Sequence, residues 1–175
     1  MSLVIVETLS DAPLTPDEPT ETDFRILSCV TERQGEWRYS LLSNDRRRMI
    51  CTFDAPDAES IRDSYRKAGG FFSQVWTAEA MKLAIKQSPR NQETLKVFEV
   101  TYPNELSAAD REATTQKLMS NLTHQGVEWV QSYVSKDRSK LICELNAPDN
   151  GVVESAHEEL GLSCDRMWPA MLIAP

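Results

Sequence analysis

The sequence predicts an α+β protein made of two tandem βαββαβ units. Two nearly identical octapeptides, ICTFDAPD at Ile50–Asp57 and ICELNAPD at Ile142–Asp149, are the first observation. The second is a constant spacing between like residues. Cys51 and Cys143 stand 92 apart (143 − 51 = 92), as do Pro56 and Pro148, Gly69 and Gly161, and Trp76 and Trp168. Upstream, Leu3 and Leu95, Glu7 and Glu99, Trp37 and Trp129, Ser40 and Ser132, and Asp45 and Asp137 keep the same offset. Only Gln34-Gly35 and Gln125-Gly126 differ (125 − 34 = 91), a one-residue change beside a turn. A register held this long marks a duplicated unit. The third observation is the order of strand-like and helix-like segments, which is the same in both copies.

The second copy is read first. Leu95–Val100 is short, apolar and β-branched, hence a strand. Ser107 is a helix N-cap followed by acid in the first turn. Leu118 and Leu122 recur at helical spacing until Gly126 stops the helix. Val127–Ser135 alternates as a second strand, Lys136-Asp137-Arg138-Ser139 turns, and Lys140–Leu145 returns as a third. Ala147-Pro148-Asp149 breaks it, and Asp149 or Asn150 caps a helix running to Gly161. Cys164–Met171 is the fourth strand. In the first copy Pro19 would remove an N–H one turn into the first helix. That helix is therefore expected to start later, with Thr20 as N-cap and Asp23 three residues on. Residues 10–19 become a looser acidic lead-in. The domains are placed at 1–86 and 94–175, with 87–93 as linker.

A βαββαβ unit folds as a four-stranded sheet with both helices on one face, the ferredoxin-like arrangement. Two such units cover their bare sheet faces most simply by packing together, which predicts a pseudo-dimeric α+β barrel with an internal cleft. Strand parity turns Met49, Cys51, Phe53 and Leu141, Cys143, Leu145 toward the helices. Ile50, Thr52, Ile142 and Glu144 take the cleft side, and Glu7 and Glu99 join them.

Composition narrows the function classes. The 175 residues carry a net charge of −8 with 41% hydrophobic residues, ordinary for a soluble globular chain. An acidic balance disfavours nucleic acid, which is gripped by clustered Lys and Arg. The one basic run, Arg46-Arg47-Arg48, reads as a solvated turn. No stretch suits a bilayer span or a secretory signal, so no membrane partner and a cytoplasmic location are expected. Cys29, Cys51, Cys143 and Cys164 form no CxxC pair and read as reduced thiols.

No phosphate loop, HExxH, CxxC or Ser-His-Asp set is present, so no catalytic residue is assigned. Cys51 and Cys143 read as small core hydrophobes, since neither motif supplies a nearby positive charge. The Pro-Asp of each octapeptide is explained by strand ending and helix capping. The four tryptophans read as packing anchors or, alternatively, as walls of a ligand cleft. Glu7 and Glu99, inside apolar strands, are either paired in a cleft or near solvent at strand ends. His157 lies three residues after Glu154 and beside Glu158, so the three form either a divalent-metal chelate or a solvated acidic helix face. His124 reads as a helix C-terminal dipole partner.

The string Trp129-Val130-Gln131-Ser132-Tyr133-Val134, then Cys143 to Asp149, then His157, Gly161 and Trp168, resembles a family of small ferredoxin-like proteins. That family was first catalogued as a domain of unknown function, and some members are described as nickel-binding. The resemblance covers the second copy and, more weakly, the first, where Tyr65 stands for His157 and Leu41 for Tyr133. It implies a fold that pairs through its sheets and a capacity for nickel or another divalent metal. His157, Glu154 and Glu158 would be the metal ligands; Glu7, Glu99, Ser132, Glu144 and Trp168 would face a bound group. The expected function is that of a small cytoplasmic metal-binding protein without catalytic activity. The alternatives are a ligand-binding or enzymatic barrel using carboxylates of the cleft, and a protein-interaction module. The expected partners are a metal or small molecule, with the chain as its own pseudo-dimer and further homodimerisation left open.

Overall fold

The computed structural model describes residues 1–102, 107–159 and 164–175; the side chains of Asn150, His157 and Glu159 are outside the description. The elements run β1 (Ser2–Leu9), α1 (Glu21–Glu32), β2 (Glu36–Ser43), β3 (Arg48–Ala55), α2 (Ala58–Ala68), β4 (Gln74–Ala80). There follow β5 (Leu95–Thr101), α3 (Ala108–His124), β6 (Glu128–Ser135), β7 (Lys140–Asn146), α4 (Asn150–Glu159) and β8 (Cys164–Ile173). This is a mixed α+β fold with antiparallel strand pairing. No helix among the described residues is long and apolar enough to cross a membrane.

The chain divides into two compact units. One comprises Met1–Ala78 with Ala170–Pro175, the other Glu79–Pro169. In the first, the strand order is β4-β1-β3-β2, and the end of β8 joins at the β2 edge through Ser40↔Ile173 to Ser43↔Ala170. In the second, the order is β8-β5-β7-β6. Both units carry a β-bulge at equivalent places, between Trp37 and Tyr39 and between Trp129 and Gln131. An extra residue there re-aims the side chains that follow.

Local chemistry explains the helix starts. The Thr20 side chain accepts from Asp23 N and the Asp23 carboxylate accepts from Thr20 N, the reciprocal cap expected from the sequence. Asp57 caps α2 by accepting from Ser60 N, and Ser107 caps α3 by accepting from Asp110 N. Gly69, at φ +74°, takes the left-handed cap of α2 that a side chain would resist. Beyond Glu159, the expected end of α4 at Gly161 lies outside the described residues.

Two details differ from expectation. The acidic lead-in is not loose: Arg46 grips Asp17 with both terminal nitrogens at 2.8 Å, and Leu14 N donates to Arg46 O at 2.7 Å. That guanidinium holds the Asp17 carboxyl down to about 2. The basic run is correspondingly not a bare turn, because Arg48 sits in β3 with its guanidinium 3.7 Å from Glu7.

Each unit has its own core on the helix-covered sheet face. Cys51 and Phe53 pack with Val4, Val6, Ile26 and Ile61; Cys143 and Leu145 pack with Phe98, Leu118, Leu122 and Val153. The parity assignment of the third strands holds. Residues 81–88 belong to the second unit, where Met81, Leu83 and Ile85 pack against its core.

Candidate functional site

Two hydrogen-bonded constellations are built twice. In the first, the bulge in β2 brings the Trp37 indole over Ser40, and Nε1–H donates to Ser40 Oγ at 3.0 Å. Ser40 in turn donates to Cys51 Sγ on the neighbouring strand at 2.9 Å. The second unit repeats the relay: Trp129 donates to Ser132 at 2.9 Å, and Ser132 to Cys143 at 2.9 Å. Burial pushes the Cys51 thiol up to about 11 and the Cys143 thiol up to about 12. Neither is a nucleophile at neutral pH. Tyr65 also reaches Cys51, and burial raises its phenol well above the ordinary value.

The second constellation joins each buried β-strand glutamate to a tryptophan. Trp76 Nε1–H donates to Glu7 Oε2 at 2.7 Å, and Trp168 Nε1–H donates to Glu99 Oε2 at 2.8 Å. Arg48 flanks Glu7, and Arg166 Nη1 lies 3.2 Å from Glu99 Oε1. Glu144, with no exposed side-chain surface, takes a 2.6 Å bond from Arg90 Nε. A buried carboxylate is stable when its charge and lone pairs are met in this way.

Of the residues selected from the sequence, Glu99 and Trp168 are thus brought into direct contact. Glu7 takes the equivalent place with Trp76. Ser132 is the middle of the Trp129 relay, and Glu144 is held by Arg90. Glu7, Glu99 and Glu144 each have a guanidinium beside them, from Arg48, Arg166 and Arg90 respectively. Reading the sequence did not single out Arg90, Arg166 or Arg48. It did carry a signal for the Glu–Trp pairs, since both copies keep the pair 69 residues apart (76 − 7 = 69; 168 − 99 = 69).

On α4, Glu154 and Glu158 are both exposed. Four residues apart, they stand one turn above the other on one helix face. His157 belongs to the same helix; its side chain lies outside the described residues. Among the described residues no group of three or more His, Cys, Asp or Glu converges as a metal centre. What the described part of α4 supplies toward a divalent cation is therefore two solvent-facing carboxylates, oxygen ligands of the hard kind.

A family model described as nickel responsive protein SCO4226-like matches residues 97–169, from β5 into β8. Among curated proteins none matches this sequence. Among solved structures, an anthrone oxidase-like protein is similar over 99% of this chain and 90% of its own length, with a TM-score of 0.53 at 9% identity. A mutant chlorite dismutase from Candidatus Nitrospira defluvii is similar over 99% of this chain and 91% of its own, with a TM-score of 0.51 at 11% identity. At these identities the likeness is one of fold, that of the dimeric α+β barrel type.

Proposed function

We propose that this chain is a small, non-enzymatic, cytoplasmic binding protein for a divalent metal of the nickel type, made by tandem duplication of one ferredoxin-like unit so that a single chain serves as its own pseudo-dimer. The observation that carries the reading is that α4, inside the stretch matched by the nickel-responsive family model, presents Glu154 and Glu158 to solvent with His157 between them in sequence. Carboxylate and imidazole together suit nickel, zinc or copper, and imidazole shifts the preference away from magnesium and calcium. The first unit has Tyr65 at the position of His157, so the capacity belongs to the second unit. The tandem reading draws its support from the shared element order, the duplicated relay and the duplicated Glu–Trp pair.

Glu7, Glu99, Ser132, Glu144 and Trp168 are better read as fittings of their own units than as groups facing a bound molecule. Their polar atoms already have protein partners. Calorimetric titration of untagged protein with Ni(II) is the test. One-to-one binding, weakened about tenfold or more by His157→Ala and by Glu154→Gln with Glu158→Gln, is expected. An absence of binding to untagged protein ends the metal reading.

A further inference from the structure

No further inference is drawn: the strongest candidate, the apolar cleft of the first unit between α1, the sheet and the end of β8, is an unpartnered apolar face, and nothing in the structure shows what covers it.

Discussion

Cys51 and Cys143 show how a residue's chemistry is set by its surroundings. Each accepts a hydroxyl hydrogen bond that favours the thiolate, yet burial wins and the thiols titrate at about 11 and about 12. At pH 8 the thiolate fraction is then on the order of one part in a thousand or less. Cys164 is half-buried, and burial raises its thiol too, but it is the most accessible of the four. Iodoacetamide at pH 8 is expected to alkylate Cys164 first and to reach Cys51 and Cys143 only in denaturant, as read by peptide mass spectrometry. Rapid native alkylation of Cys143 would contradict the burial argument. The Glu99–Trp168 bond offers a second test. Trp168→Phe keeps most of the packing and removes the donor, leaving Glu99 with one fewer partner in a buried place. A loss of about 1–3 kcal/mol in urea unfolding is expected, and Trp168→Phe with Glu99→Gln recovers part of it if the charge is the source of the cost.

Helix starts were legible because caps are local: Thr20 and Asp23 satisfy each other across three residues, whatever the rest of the chain does. The partners of the lead-in and of the stretch from Gln87 were not legible, for the opposite reason. Asp17 finds Arg46 29 residues away, and the stretch after Gln87 is organised by partners more than 40 residues on. Gln87 Nε2 donates to Val130 O, Asn91 N to Asn146 Oδ1, and Arg90 to Glu144. Polar loop composition says nothing about such partners. It marks only where regular structure stops. Arg90→Ala removes the guanidinium from a fully buried carboxylate, and breaking a buried pair from one side costs about 3–5 kcal/mol. Arg90 is a quarter exposed, which places the expected loss at the low end of that range. Chemical denaturation of Arg90→Ala beside Arg90→Ala/Glu144→Gln separates loss of the pair from loss of packing. If the double variant is no more stable than the single, the charge argument fails.

At the scale of the whole chain, the 92-residue offset was legible because residues that far apart include the same kinds of buried side chain, such as Cys51 and Cys143 or Glu7 and Glu99. What it could not expose is which strand ends serve which unit. Residues 79–88 follow the first copy's last strand yet belong to the second unit, and Ala170–Pro175 end the second copy yet belong to the first. A fragment cut by the repeat, residues 1–93, therefore lacks the segment that pairs with Ser40–Ser43 of β2. It would leave an open strand edge beside the apolar residues Leu41 and Leu42, both buried in the whole chain. Unpaired edges of this kind recruit other chains. The fragment is expected to self-associate or precipitate where the full chain does not, as read by light scattering after size exclusion. Restoring the missing strand in cis, by joining residues 168–175 to the fragment through a flexible linker, should reduce the association. A fragment 1–93 that is monomeric and unfolds cooperatively would show that β2 needs no such cover, and that the division at residue 78 does not mark a unit of stability.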